Sequence, residues 1–265
     1  MVKISKEIFG AKGSKKFGLT AQLRRAAAIA QKDLRIYYNK PPVIVQGIIF
    51  PVILFFTFTI GRNISTPLLI SGLMAMVIFL TATSIGPFVF PWETMRKTFE
   101  RLITCPVSLK TILFGSMLSS FLFGVIFSLV PLVLGIIFFS IQITINFLII
   151  LLAMFLAAFV FSSFSLILSA PPTDMPGNIM IFTLLLKFTI LFLSPLFIPI
   201  RDHPLAWISP LTYFVDIVNV SLGLESAFGH YGILIDFAVL SSFGVFFLFL
   251  AFMLHKKTLQ RRFRN

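Results

Sequence analysis

The run Leu68-Leu-Ile-Ser-Gly-Leu-Met-Ala-Met-Val-Ile-Phe-Leu-Thr-Ala-Thr-Ser-Ile-Gly-Pro-Phe-Val-Phe90 contains no charged residue. At 1.5 Å of rise per residue it is long enough as a helix to cross about 30 Å of hydrocarbon, so a membrane span is predicted here. Comparable runs occur at Val43 to Ile60, Ile112 to Phe139, Phe147 to Ser169, Ile179 to Pro199 and Ile233 to Leu254. The predicted fold class is therefore all-α integral membrane, with six transmembrane helices. Composition agrees: 58% of the 265 residues are hydrophobic and 12% charged, against about a quarter charged in a soluble domain. Six crossings use nearly all of this apolar content, which argues against an appended soluble enzyme domain. A single cysteine, Cys105, excludes an internal disulfide. The first 42 residues lack the form of a cleaved signal, since the apolar run starts late, is long and is followed by no small-residue cleavage site.

Cation placement predicts orientation, because short loops rich in Lys and Arg stay in the cytoplasm. Ten of the 22 precede Val43, four (Arg96, Lys97, Arg101, Lys110) lie between Trp92 and Lys110, and five follow Leu254. The opposite side holds only Arg62 and Arg201. Both termini are thus expected in the cytoplasm of a cell-membrane protein, as an even number of crossings also requires. The net charge of +13 is read as attraction to anionic lipid headgroups, at about 1 kcal/mol per cation near the surface, and not to nucleic acid.

Four domains are predicted: a mobile basic tail over 1–19, an amphipathic interfacial helix over 20–42, the six-helix domain over 43–254 and a cytoplasmic basic tail over 255–265. In the second, Leu23, Ala27, Ala30, Leu34 and Tyr37 are assigned to one face, and Arg24, Arg25, Gln31, Lys32 and Arg35 to the other. The loop from Trp92 to Thr111 is longer than a reversal of direction needs. Met95, Phe99 and Leu102 recur at helical spacing, and Glu93 with Lys97 and Arg96 with Glu100 stand four apart. A short cytosolic helix, Glu93 to Ile103, is predicted, ending at Cys105-Pro106. It reads as a docking element or as a helix resting on headgroups. After the fifth run, Pro195, Pro199, Pro204 and Pro210 forbid one continuous helix. Residues from Pro210 to Leu224 are apolar but too few to span, which predicts re-entrant or short helices between the fifth and sixth crossings. Trp207, Pro210, Tyr213 and Asp216 fall here, in an outer gate or an interfacial aromatic belt. The prolines of Ala170 to Asn178 predict a stiff cytoplasmic turn.

The sequence Glu93-Thr-Met-Arg-Lys-Thr-Phe-Glu-Arg-Leu-Ile-Thr-Cys-Pro-Val-Ser108 resembles the first cytoplasmic loop of the membrane subunits of ABC-2 type transporters. Thr98, Glu100, Arg101, Leu102, Pro106 and Val107 match that pattern, and Lys97 replaces its usual glycine. The segment Ser209-Pro-Leu-Thr-Tyr-Phe-Val-Asp216 is similar to the family's Asn-Pro-Leu-Thr-Tyr type sequence, with Ser209 where Asn is common and Asn219 where Arg often follows. The resemblance covers most of the chain. It implies a permease subunit that forms a translocation pathway with a second copy or a similar chain, driven by a separate ABC ATP-binding subunit that holds ATP and Mg. It implies coupling to that subunit through Glu93, Arg96, Lys97, Phe99, Glu100, Arg101, Leu102 and Pro106. Pro195, Pro199, Trp207, Pro210, Tyr213 and Asp216 would shape the outer gate.

No catalytic or metal-binding constellation is read in the sequence. No histidine pair has metal-ligand spacing, there is no HExxH, and no phosphate-cradling Gly-x-x-x-x-Gly-Lys-Ser/Thr occurs. An enzyme is not expected, and no cofactor is assigned to this chain. Lys187 stands within the fifth run, where a bare charge costs about 2.5–3.5 kcal/mol on insertion scales. Two readings stand: it faces the substrate path, or its stem snorkels to the inner headgroups. Asp236, near the outer end of the sixth run, is a poor partner for it. The richness in Phe and Leu favours an amphipathic cargo. Two alternatives from other classes are a secondary active transporter and a noncatalytic membrane interaction subunit.

Overall fold

Chemistry in lipid leaves a backbone few options, and the computed structural model takes the helical one. It describes residues 18–37, 40–45, 65–98, 101, 102, 105, 107–139, 147–171, 176–196 and 205–262, with positions 49, 50, 52, 53 and 57. The helices are α1 (Leu19–Tyr37), α2 (Thr66–Ala82), α3 (Gly86–Met95), α4 (Leu109–Phe139), α5 (Phe147–Leu168), α6 (Pro176–Leu193), α7 (Pro210–Ser221) and α8 (Gly232–Arg262). A single turn, Pro41–Ile44, precedes α2, and a 3-10 turn, Ala206–Ile208, precedes α7. No strand occurs among the described residues. Four stretches are long and apolar enough to cross a membrane: Thr66–Met95, Leu109–Ile137, Phe147–Leu168 and Gly232–Thr258. A shorter apolar helix runs over Gly177–Leu193. Most of the first predicted crossing and nearly all of the 1–19 tail lie outside the described residues. The protein is a membrane-embedded helical bundle.

Helix α2 is the centre of the bundle. It packs against α4, α5 and α7, while α5 also packs against α8 and α4, and α7 against α8. Met74, Ala75, Met76, Ile78 and Phe79 are fully buried on it, and Phe79 meets Phe161 of α5 edge to face at 5.2 Å. Between helices in lipid there is no hydrophobic drive, so close packing and small side chains carry the association. Ala153, Ala157 and Ala158 of α5 are accordingly fully enclosed. Val245, Phe246 and Phe249 of α8 and Ile181, Leu185 and Phe192 of α6 point outward.

The second crossing is not one continuous helix as expected. It breaks at Thr83–Ile85, between α2 and α3. Pro87 sits in the first turn of α3, where a missing amide costs nothing, and it cannot bond back to the residue four before it. The loosened backbone is satisfied from side chains. Thr83 Oγ1 donates to Phe79 O at 2.6 Å, Ser84 Oγ donates to Leu80 O, and Gly86 N donates to Ser165 Oγ at 3.1 Å. A Cβ at Gly86 would lie 2.7 Å from the Ser165 carbonyl oxygen, so only glycine lets α3 approach α5 here.

Helix α1 covers Leu19–Tyr37, against one helix expected over 20–42, and its buried face is rotated from the predicted one. Ala26, Ile29, Ala30 and Asp33 are enclosed, whereas Leu23 is 51% exposed. Close approach selects small residues: α1 lies on α4 at Gly115, where a Cβ would sit 2.7 Å from Ile29 Cβ and 2.8 Å from the Ala26 carbonyl oxygen. Gly115→Val should therefore lever α1 off α4, at an overpacking cost of about 1–3 kcal/mol. A lower midpoint of thermal unfolding in detergent, with faster tryptic cleavage at Arg24 and Arg25, is the expected result.

Candidate functional site

The loop expected to carry one helix from Glu93 to Ile103 is instead divided. Helix α3 continues the membrane segment as far as Met95, and the chain turns at Arg96 and Lys97. Lys97 has φ of 56°, a left-handed conformation that a non-glycine residue holds at a cost of roughly 1–2 kcal/mol. This gives a physical reason for a glycine at the matching position of the resembling sequences. Arg96 leaves the helix with its guanidinium 5.2 Å from the Trp92 ring centre. Beyond the turn, Arg101 and Cys105 are exposed, and Leu102 packs partly against the cluster of Ile29, Phe90, Ile112 and Leu113. Phe99, Glu100 and Pro106 lie outside the described residues.

Glu93 was placed on a cytosolic helix, but it is buried and points toward α1. The reason is a cation there: Lys32 Nζ pairs with Glu93 Oε1 and stands 3.0 Å from Asp33 Oδ1. Asp33 Oδ2 accepts from Ser116 Oγ of α4 at 2.7 Å. One ammonium thus ties α1 to the end of α3, and the neighbouring carboxylate ties α1 to α4. Lys32 was assigned to the solvent face and Asp33 to none. The available signal was the pair Lys32-Asp33 itself, because a carboxylate on the packing face of an amphipathic helix needs a built partner. Burial opposes the Lys32 charge, yet Asp33 and Glu93 outweigh it and hold the ammonium above the usual lysine range. Burial also pushes the Asp33 carboxyl up, against the pull of Lys32 and Ser116. The two directions agree: the cluster has two acids and one cation.

Lys187 does not extend along an exposed stem toward headgroups. Its side chain is 1% exposed, and its Nζ lies 3.5 Å from Ser84 Oγ at the break between α2 and α3. The amine therefore sits where the second crossing is unwound.

The segment after α6 folds as a short helix capped at its start. Ser209 accepts from Leu211 N at 3.3 Å and Pro210 takes the first helical position, which accounts for Ser or Asn before Pro in such a sequence. Ser209 Oγ also lies 2.5 Å from Ser194 Oγ, so the end of α6 is bonded to the start of α7. At 1.5 Å per residue α7 is about 18 Å long, too short to span. It is buried against α2, α5 and α8. Tyr213 donates to Trp207 O at 2.9 Å and stacks on Phe228 with centroids 5.5 Å apart, while Trp207 meets Phe228 edge to face at 4.6 Å. Pro195, Pro210 and Asp216 are buried and Trp207 is half exposed. Pro199 lies outside the described residues. Ser71 of α2 donates to Asn219 Oδ1 at 2.6 Å, so the residue that departs from the family pattern makes a buried bond of its own. Among the described residues no group of three His, Cys, Asp or Glu is placed to hold a metal ion.

A family model described as ABC-2 type transporter matches residues 25–223, well over half of the chain and inclusive of α1 through α7 but for the first six residues of α1. No individually curated protein matches it.

Lys32→Met should unfold more readily at neutral pH, by about 2 kcal/mol, because it leaves two buried carboxylates without their cation. In the wild type both raised groups keep protons longer when folded. Their contribution is therefore fully present in acid, and declines as pH rises first through the carboxylate range and then through the lysine range. Unfolding midpoints of wild type and variant, measured against pH, should accordingly converge in acid, where protonated carboxyls need no cation.

Proposed function

Because the chain belongs to the ABC-2 type transporter family, we propose that it is the permease subunit of an exporter, forming half of a translocation pathway with a second copy of itself or a similar chain. ATP and Mg are bound by a separate ABC ATP-binding subunit, and this chain contributes no catalytic residue. The membrane domain crosses six times, with the first crossing between α1 and α2 and the fifth formed by α6. Both termini and the loop after α3 face the cytoplasm of a cell membrane.

The observation that carries this reading is the family match together with the geometry where it is most specific. The loop segment begins as the continuation of a membrane-crossing helix and is tied to α1 and α4 by Lys32, Glu93 and Asp33. A push from a cytosolic motor on residues 93–107 reaches α2 through α3, and α1 through the ion pair. The outward apolar faces of α6 and α8 suit lipid or a second copy. Lys187, enclosed at the break of the second crossing beside Ser84, would meet an anionic part of the cargo once the pathway opens there. The richness of the crossings in Phe and Leu favours an amphipathic cargo.

Co-purification with an ATPase chain, followed by cargo-stimulated hydrolysis in liposomes, separates this reading from a gradient-driven carrier and from a subunit that only binds partners. A Phe99→Ala, Glu100→Lys double variant should reach the membrane at normal abundance but lose the ATPase in pull-down, since large apolar anchors often carry 2 kcal/mol or more and a broken desolvated charge contact about 2–5 kcal/mol. Normal ATPase binding and export by that variant would remove the coupling role from this loop. Topology has its own test in the exposed Cys105. An impermeant maleimide is expected to label it in inside-out vesicles and not in intact cells, and labelling from outside would reverse the orientation.

A further inference from the structure

Among the described residues, Asp236 is a buried ionisable group that the transport reading does not use. Asp236 of α8 is completely enclosed, and neither of its carboxyl oxygens has a hydrogen-bond donor. Its neighbouring acid is Asp216 of α7, the helix packed along α8, and the two carboxyl groups interact. Asp216 is fully supplied with donors: Oδ2 accepts from Ser226 Oγ at 2.6 Å and Oδ1 accepts from Ala227 N at 3.1 Å. The nearby phenol of Tyr213 is no donor to Asp236, since its hydrogen is committed to Trp207 O.

Two carboxylates offer only acceptors, so a contact between them is a hydrogen bond only when one carries a proton. Two like charges enclosed side by side are excluded on electrostatic grounds as well. We propose that Asp216 and Asp236 hold one proton between them, forming a proton-binding site at the seam of α7 and α8. The distribution of donors assigns the parts. Asp216 is the anion, stabilised by Ser226 and Ala227, and Asp236 carries the proton and donates it to Asp216. Loss of the proton places two negative charges across the seam and pushes α7 from α8.

Among the described residues the other titratable groups around the pair are few. Helices α2 and α5, which pack on α7 and α8, present none. From α7 there is Tyr213. The connecting loop contributes Glu225, His230 and Tyr231, all exposed, with the His230 ring against Tyr231. The site does not depend on the transport reading, and its test involves no transport.

Infrared spectroscopy of the purified full-length protein in detergent reads the proton directly. At neutral pH the wild type should show a protonated-carboxyl carbonyl band, shifted in heavy water, that is absent from Asp236→Asn. Should that variant fail to fold, Asp216→Asn is the second: its amide supplies Asp236 with a donor, so the band should again be lost. A pH series of unfolding midpoints is the companion measurement. A folded pair that keeps a proton the unfolded chain has lost makes stability fall as pH rises through the window above the ordinary carboxylate range. The unfolding equilibrium then rises by up to about tenfold per pH unit within that window. Asp236→Asn should lack this component. No difference in the carbonyl band between wild type and Asp236→Asn would overturn the proposal. So would stabilisation of the wild type by sodium, calcium or magnesium chloride at fixed pH that Asp236→Asn abolishes, which would make the pair a metal-cation site.

Discussion

Hydrocarbon offers no partner for an unpaired amide or carbonyl, and every irregularity in this bundle is bounded by that constraint. The break between α2 and α3 survives because Thr83, Ser84 and Ser165 supply what the interrupted helix withdraws. Around it the other polar features are arranged. Lys187 reaches the break from α6, and α3 leaves it toward Glu93 and Lys32. A straight second helix would need none of these hydroxyls. It would also place Glu93 on a different bearing, since the bend sets the direction in which α3 arrives at α1.

The crossings were legible because twenty apolar residues in a row have few alternatives. Pro87, inside the second run, was a visible sign of the break, and the absence of charge around it masked that sign. The face of α1 was misread for a different reason. The predicted face runs through Leu23 and Ala27 to Ala30, but α1 is held by close approach, which encloses Ala26 and Ile29 beside Ala30 and places glycine opposite. Glycine's role at 115 belongs to a contact between residues more than eighty apart, and no local pattern expresses it.

The same distinction separates the parts of the candidate site. Ser209 with Pro210 is a local device, a cap followed by a proline, and its meaning is contained in two adjacent residues. Lys32, Asp33 and Glu93 are meaningful only as a set, and the set exists because α1, α3 and α4 converge. Asp216 and Asp236 are twenty residues apart on helices that run side by side. Read singly, each is a lone carboxylate in an apolar run; read together, they leave Asp236 with no donor.

The near-complete enclosure of α2 has a consequence for how the molecule is made. Its neighbours α4, α5 and α7 all lie later in the chain. During synthesis α2 therefore enters the bilayer before any of them exists, and its first surroundings are lipid tails. Its apolar surface tolerates that stage, and its two exits from the helical ladder, at Thr83 and Ser84, are bonded within α2 itself. The bond from Gly86 to Ser165 must wait for α5. Assembly is thus ordered by the chain's own direction: a helix that can stand alone is inserted before its partners and becomes the post around which later helices are wound.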